Sequence, residues 1–140
     1  MYLNKTHNIE SSWTIFLDRD GVINEKIMDG YVRSWEEFSF TKKALEAISN
    51  LSKHFPKILV VTNQRGVGKG LMSEDELIII HEKMCEAINK ESGRIDKVYY
   101  CTDKLDSSEF RKPNVGMALK AKRDYPEINF FKSVIIGDSI

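Results

Sequence analysis

The sequence has few of the features that mark membrane, secreted or disulfide-stabilised proteins. It contains no run of about 18 apolar residues, the length that a membrane-spanning helix needs. The N-terminal segment MYLNKTHNIESS has no apolar core of the kind found in signal peptides. We therefore expect a cytoplasmic protein with no membrane partner. Two cysteines, Cys85 and Cys101, are too few for a disulfide framework, so we expect both to be unpaired thiols.

An excess of charge is also missing, because 21 Lys and Arg residues balance 21 Asp and Glu residues. Without an overall positive field, the chain lacks the sequence-independent attraction on which nucleic-acid binding depends. A small-molecule partner is therefore favoured over a nucleic acid, and no obligate protein partner is evident. The remaining composition, 41% hydrophobic and 30% charged in 140 residues, is that of an ordinary globular protein. We predict a single domain over residues 1–140.

Short apolar runs alternate with helical patterns along the chain. The strand-like runs are nearly continuous in apolar character, which is typical of strands covered on both faces. One helix has a clear start, since Ser73 and Glu76 form a capping-box pattern. The alternation predicts a three-layer α/β/α sandwich around a parallel, Rossmann-like sheet. The predicted strands are 13–17, 57–62, 97–101 and 133–137, and the predicted helices are 41–53, 73–90 and 115–124.

Polar residues follow three of these strands at their carboxyl ends, where ligands bind in parallel sheets. The first strand is followed by Asp18 and Asp20, the second ends at Thr62, and the last is followed by Asp138. In an extended chain Asp18 and Asp20 point to the same side and Arg19 points away. Two carboxylates so close together repel, and a divalent cation relieves that repulsion. Mg²⁺ prefers such oxygen ligands together with substrate phosphate, so the pattern indicates a magnesium and phosphate site.

Two further segments carry basic residues. Arg111 and Lys112 precede a proline, and Lys112 could offset negative charge at a phosphate site. The segment NQRGVGKGLMS, residues 63–73, does not match the P-loop pattern, and we interpret it as a flexible loop that faces the substrate. The three histidines, His7, His54 and His81, have no metal-ligand spacing, and we expect them to have only structural roles.

The segments FLDRDGV, VVTNQ, RKP and IIGDS resemble, in this order, the four motifs of the haloacid dehalogenase superfamily of phosphatases. The resemblance extends over nearly the whole chain, from Trp13 to Ile140. Within the superfamily, LDRDGVIN, GYV, TNQRGVGKG and FRKP are most similar to the capless branch, subfamily IIIA. That branch contains D-glycero-D-manno-heptose 1,7-bisphosphate phosphatase and histidinol-phosphatase.

The resemblance implies a role for each motif residue. Asp18 would be the nucleophile that forms an aspartyl-phosphate, and Asp20 the general acid and base. Thr62 would bind the transferred phosphoryl group and Lys112 would stabilise its charge. Mg²⁺ would be held by Asp18, Asp138 and the main-chain carbonyl of Asp20. The residues expected to contact the rest of the substrate are Asn63, Arg65 and Arg111.

The chain departs from the branch in two places. Members commonly carry a zinc loop before the Arg-Lys-Pro motif, but CTDKLDSSEFRKP keeps one of four ligands, Cys101, so we expect no structural zinc. The family pattern also continues beyond Asp138, so we expect a chain shortened at its C-terminus.

Three functions remain open from the sequence. The segments DGYV and NQRGVGKG favour heptose bisphosphate over histidinol phosphate as substrate. A phospho-accepting receiver domain would also place acidic residues, Thr and Lys around magnesium, but Asp20 would have no counterpart there. A non-catalytic binding domain is the third alternative.

Overall fold

Four parallel strands form the centre of the protein in the computed structural model, which describes residues 12–103, 105, 108, 109, 112 and 115–138. Their spatial order is β3-β2-β1-β4. The strands are β1 (Thr14–Leu17), β2 (Lys57–Asn63), β3 (Lys97–Cys101) and β4 (Ser133–Ile136). They agree with the four predicted strands to within one residue at each end. Between β1 and β2 the register pairs Thr14 with Lys57, and between β1 and β4 it pairs Thr14 with Ser133.

Helices connect the strands, as the alternating pattern predicts. They are α1 (Ala44–His54), the short α2 (Arg65–Gly68), α3 (Glu74–Lys90) and α4 (Gly116–Asp124), with 3₁₀ turns at Trp35–Glu37 and Phe130–Lys132. The capping box at the start of α3 is confirmed: Ser73 Oγ accepts from the Glu76 amide, and Glu76 accepts from the Ser73 amide. The loop 63–73 contains the helical turn α2, which the sequence did not predict. None of the helices in the described ranges is long and apolar enough to cross a membrane.

Apolar side chains cover both faces of the sheet, so the three-layer architecture is confirmed. On one face Ile15, Ile58 and Val60 pack against α1 and α3. On the other face Phe16, Leu59 and Val61 pack against Met117 and Ala121 of α4. Adjacent residues of one strand therefore enter different cores, which explains why the strands are apolar at almost every position. Cys85 and Cys101 are free thiols, as expected.

The strand order reverses direction at β1, since the chain runs from β1 to β2 on one side and reaches β4 on the other. Ligands in such sheets bind in the crevice at this switch point, outside the carboxyl ends of the strands. The strand β4 is less well covered than β1 and β2. Its residues Val134, Ile135 and Ile136 are 36%, 65% and 39% exposed, whereas Ile58, Leu59 and Val60 are fully buried.

Candidate active site

A tight turn follows β1 and places two aspartates at the end of the sheet. The carbonyl of Arg19 accepts hydrogen bonds from the amides of Val22, Ile23 and Asn24. Gly21 allows this turn because its φ is +85°, a conformation that residues with a Cβ atom rarely adopt. The chain therefore leaves the extended conformation directly after β1.

Asp18 is held at the very end of β1. Its amide donates to the carbonyl of Ile136 in β4 at 2.9 Å. Its carboxylate oxygen Oδ1 accepts from the amide of Arg19 at 2.8 Å and lies 2.9 Å from the ammonium nitrogen of Lys112. The side chain is therefore a partly exposed carboxyl group beside the cation of Lys112, an arrangement suited to nucleophilic attack.

Asp20 has a denser set of partners. Its Oδ1 accepts from Arg19 Nη2 at 2.8 Å and from Asn24 Nδ2 at 2.9 Å, and its Oδ2 accepts from Gln64 Nε2 at 2.8 Å. Burial raises the pKa of Asp20, but the charge of Arg19 and the hydrogen bonds outweigh burial and hold the pKa below its ordinary value. The two aspartates thus sit side by side in different environments, which allows them different chemical roles.

Arg19 lies between the two aspartates and is fully buried. The sequence predicts that Arg19 points away from the two aspartates. The side chain does enter the core, but its guanidinium contacts Asp20, so that part of the prediction is wrong. The Cζ atom of Arg19 lies 5.9 Å from the centre of the Phe38 ring, and its Nη2 lies 2.8 Å from Oδ1 of Asp20. The physical reason is that a buried guanidinium needs a charged partner, and the turn after β1 brings Asp20 within reach.

The end of β2 contributes Thr62 and Gln64. Thr62 is fully buried, and its Oγ1 accepts a hydrogen bond from Gln64 Nε2 at 2.9 Å. The Gln64 amide nitrogen therefore donates one of its hydrogens to Thr62 and the other to Asp20. The Thr62 hydroxyl oxygen is the acceptor in this contact.

Asn63 connects β2 to Lys112. Its Oδ1 accepts from the Lys112 amide at 2.9 Å, and its Nδ2 donates to the Lys112 carbonyl at 3.2 Å. This paired contact fixes the main chain of Lys112, whose side chain reaches Asp18. The geometry gives Asn63 a role in placing Lys112, while the direct substrate contact that the sequence suggests stays a prediction.

Asp138 follows β4 and lies against the turn after β1. A Cβ atom added to Gly21 would come within 2.1 Å of Asp138 Oδ2, so the carboxylate occupies space that only glycine leaves open. This close contact places Asp138 beside the main chain at Gly21. The resulting donor set of two carboxylates, from Asp18 and Asp138, and a main-chain carbonyl fits a magnesium ion that keeps several waters.

No group of three or more His, Cys, Asp or Glu side chains that could hold a metal is present among the residues that the structure describes. This finding is compatible with the magnesium site above, because only two of its ligands are acidic side chains. Cys101 occupies the position of one zinc ligand in the related zinc loops. It is buried, and its Sγ lies 3.9 Å from Ser108 Oγ. The expectation that the protein holds no structural zinc stays a prediction.

A cavity of about 910 Å³ opens at this end of the sheet. Its volume is within the range of small-molecule sites. Tyr31, from the loop after β1, also borders it and accepts a hydrogen bond from Lys69 at 2.9 Å. Thr62 is not among the lining residues, and Arg111 lies outside the described residues. The predicted site residues that line the cavity are Asp18, Asp20, Asn63, Arg65, Lys112 and Asp138.

Sequence reasoning missed four residues that hold the site together: Arg19, Asn24, Gln64 and His81. His81 is buried, and its Nε2 lies 3.1 Å from Arg19 Nη1. Burial, followed by the charge of Arg19, lowers the pKa of His81 from 6.5 to about 3. The signal available in the sequence was weak, since a single histidine in the middle of an amphipathic helix is most often an ordinary core residue.

The chain is similar to several known phosphatases. Residues 14–140 match the family model described as polynucleotide kinase 3 phosphatase. A D-glycero-alpha-D-manno-heptose-1,7-bisphosphate 7-phosphatase of Mycobacterium bovis is 37% identical over 129 residues, which are 91% of this chain and 68% of the relative. A D-glycero-beta-D-manno-heptose-1,7-bisphosphate 7-phosphatase of Rhodopseudomonas palustris is 35% identical over 132 residues, covering 89% of this chain and 72% of the relative.

Among solved structures, the fold is similar to D,D-heptose 1.7-bisphosphate phosphatase from B. bronchiseptica complexed with magnesium and phosphate. The TM-score is 0.75 and the identity 33%, over 81% of this chain and 64% of that chain. The present chain thus spans about two thirds of the length of the proteins that it matches. The order of the four motifs, the sheet that carries them and these similarities agree, and the chain belongs to the haloacid dehalogenase superfamily of phosphatases.

Proposed function

We propose that this protein is a magnesium-dependent phosphatase that hydrolyses a sugar bisphosphate through an aspartyl-phosphate on Asp18. The observation that carries the proposal is the contrast between two neighbouring carboxylates on one cavity. Within the described ranges Asp18 pairs with the cation of Lys112, whereas Asp20 is fixed by Arg19, Asn24 and Gln64. This contrast supports Asp18 as the carboxylate that attacks and Asp20 as the one that exchanges protons.

Magnesium would be held by Asp18, Asp138 and the carbonyl of Asp20, and when bound it supplies positive charge that offsets the repulsion between carboxylate and phosphate. The side chain of Asp20 is then free of the metal, because its two oxygens already face Arg19, Asn24 and Gln64. Asp20 would thus bind the metal through its main-chain carbonyl and act as the acid through its side chain.

In the first step a carboxylate oxygen of Asp18 attacks phosphorus in line with the leaving group. The bond from phosphorus to the sugar oxygen breaks, and Asp20 donates its proton to that oxygen. Lys112 and the Thr62 hydroxyl donate to the phosphoryl oxygens as negative charge shifts onto them. The contact between Lys112 and Asp18 supports this role, because it brings the ammonium within 2.9 Å of the proposed nucleophile.

In the second step a water attacks phosphorus, and Asp20, now ionised, accepts the proton of that water. The bond between phosphorus and Asp18 breaks, which releases inorganic phosphate and restores the Asp18 carboxylate. The lowered pKa of Asp20 in the free protein favours the ionised carboxylate, which is the state in which this step begins. For the first step Asp20 must gain a proton, so we expect the substrate-bound state to raise its pKa.

The names of the relatives support heptose 1,7-bisphosphate as substrate, with hydrolysis at the 7-phosphate. They differ in the configuration at the first carbon, since the alpha and the beta form both occur among them. Arg65, which borders the cavity, would bind a second phosphate on the substrate. Histidinol phosphate, the alternative from the sequence, lacks that second phosphate.

The test is phosphate release from the alpha and beta heptose bisphosphates and from histidinol phosphate, with and without magnesium. We expect turnover of a bisphosphate that requires magnesium and is abolished by Asp18→Asn. With Asp20→Asn, a covalent aspartyl-phosphate should still form slowly, and the rate should fall at least about 10²-fold. Full turnover by Asp18→Asn would contradict the covalent mechanism.

A slow single phosphorylation without turnover would instead favour the receiver-type alternative. Phosphate transfer to Asp20→Asn at the unmutated rate would point in the same direction, because a receiver needs no second acid.

A further inference from the structure

The two oxygens of the Asp20 carboxylate accept different numbers of hydrogen bonds. Its Oδ1 accepts from Arg19 Nη2 at 2.8 Å, from Arg19 Nε at 3.3 Å and from Asn24 Nδ2 at 2.9 Å. Its Oδ2 accepts from Gln64 Nε2 at 2.8 Å. A carboxylate oxygen has two lone pairs, so Oδ1 is saturated while Oδ2 keeps capacity for a proton.

Arg19 itself is fixed from the opposite side by a residue of α3. Its Nη1 lies 3.1 Å from Nε2 of His81. A guanidinium only donates hydrogen bonds, so His81 Nε2 must be the acceptor. The ring is then neutral with its proton on Nδ1. The burial of His81, which is 6% exposed, and the adjacent positive charge both disfavour the cationic ring.

The position of His81 is set by the core and not by the loops of the site. It lies in the middle of α3, between Ile80 and Met84, which are almost completely buried in the first core cluster. The Tyr100 ring packs against it at 5.8 Å between ring centres. A rigid helix therefore presents the acceptor to Arg19.

We infer that His81 is a positioning residue for catalysis: by accepting from Arg19, it fixes the guanidinium that saturates Oδ1 of Asp20 and leaves Oδ2 as the oxygen that transfers the proton. This inference rests on the proposed function, because it concerns the orientation of Asp20, the acid and base of that reaction.

The kinetic test compares two leaving groups. Loss of the acceptor in His81→Leu should misplace Asp20, which matters for a sugar alkoxide but little for p-nitrophenolate, which leaves without a proton. We expect kcat/KM to fall at least about tenfold for heptose bisphosphate and to stay within about twofold for p-nitrophenyl phosphate. His81→Gln, which retains an acceptor, should recover most of the loss.

A purely structural role gives a different pattern. If His81 only supports the fold, both substrates lose activity by the same factor, and His81→Gln gives no selective recovery; that result would overturn the inference. The matched control is Ile88→Ala, a buried position further along α3, which should lower both activities in proportion to the folded fraction. Unfolding midpoints of all variants give that fraction.

A second measurement decides the inference independently of turnover. Nitrogen NMR of the ring-labelled histidines at neutral pH, with His81→Gln to identify the resonances, should show His81 neutral, protonated at Nδ1 and hydrogen-bonded at Nε2. A cationic ring or a proton on Nε2 would overturn the inference even in an active enzyme. Conversely, turnover by Asp18→Asn would refute the proposed mechanism while leaving the state of His81 measurable.

Discussion

The ammonium nitrogen of Lys112 lies 2.9 Å from Oδ1 of Asp18, in a side-chain ion pair that the cavity exposes only in part. The main chain of Lys112 is held in turn by both polar ends of the Asn63 amide. The cation that we assign to the phosphoryl group is therefore in place before any substrate binds. Such preorganisation is the main way in which an enzyme stabilises developing charge.

Replacing Lys112 by methionine should remove this charge and leave the stem of the side chain. We expect kcat/KM for phosphate release to fall by about 10²–10³-fold, with a smaller change in stability. Steady-state kinetics and thermal unfolding measure the two effects. Lys83→Met, on the exposed face of α3, is the matched control and should leave the rate unchanged. Equal rates for both variants would exclude a role for Lys112 in charge stabilisation.

Gly21→Ala should affect the site more than Gly70→Ala, although both glycines have a positive φ, +85° and +74°. A Cβ atom at position 21 would meet the Asp138 carboxylate at 2.1 Å, whereas one at position 70 would have no atom of the described residues within 4 Å, apart from its chain neighbours. Both variants should lose about 1–3 kcal/mol of stability from backbone strain. Only Gly21→Ala should also weaken magnesium binding, measured by calorimetry. Similar magnesium affinity in the two variants would show that Asp138 can move aside without consequence.

Acid should destabilise the protein through His81. Because its pKa is lowered from 6.5 to about 3 on folding, the unfolded state binds a proton first as the pH falls. Between these two values the unmutated protein should lose up to about 1.4 kcal/mol of unfolding free energy per pH unit relative to His81→Gln. Above the ordinary pKa the difference should be constant. Urea unfolding of both proteins across this range checks the slope, and parallel curves would contradict it.

Arg65→Ala should discriminate between substrates. Arg65 borders the cavity without a role in the proposed chemistry, and a guanidinium binds phosphate through directional, charged hydrogen bonds. We expect KM to rise for a sugar bisphosphate by the equivalent of about 1.5–3 kcal/mol, with little change for a small monophosphate. Arg123→Ala, on the exposed end of α4, serves as control. Equal changes on both substrates would place Arg65 in the chemistry or the fold. The matching prediction for Arg111 stays open, since Arg111 lies outside the described residues.

The sequence was sufficient to predict the sheet and the acidic residues at its edge, because both depend on local patterns. Apolar runs identify strands, and the carboxyl ends of parallel strands meet at one edge, so Asp18, Asp20 and Asp138 are expected together. Asp20 was harder to predict in detail. The turn that starts at Arg19 rotates it out of strand geometry, and alternation no longer applies there.

The supporting residues were not predictable in the same way. Gln64 and His81 contact the turn after β1 through hydrogen bonds that span 44 and 62 positions in the sequence. Neither belongs to a periodic pattern that distinguishes it from its neighbours. Their roles depend on tertiary distances that only the folded chain shows.

The side chains of β4 are partly exposed, and this exposure affects how firmly Asp138 is held. An edge strand with exposed side chains opens to solvent at a lower free-energy cost than a central, fully buried strand. Amide hydrogens in β4 should therefore exchange with deuterium faster than those in β2. Asp18 and Asp20 follow β1, which is paired on both sides, but Asp138 follows β4, which pairs with β1 alone among the strands described. Each local opening of β4 would carry Asp138 away from the turn at Gly21, while Asp20 keeps its hydrogen bonds to Arg19, Asn24 and Gln64.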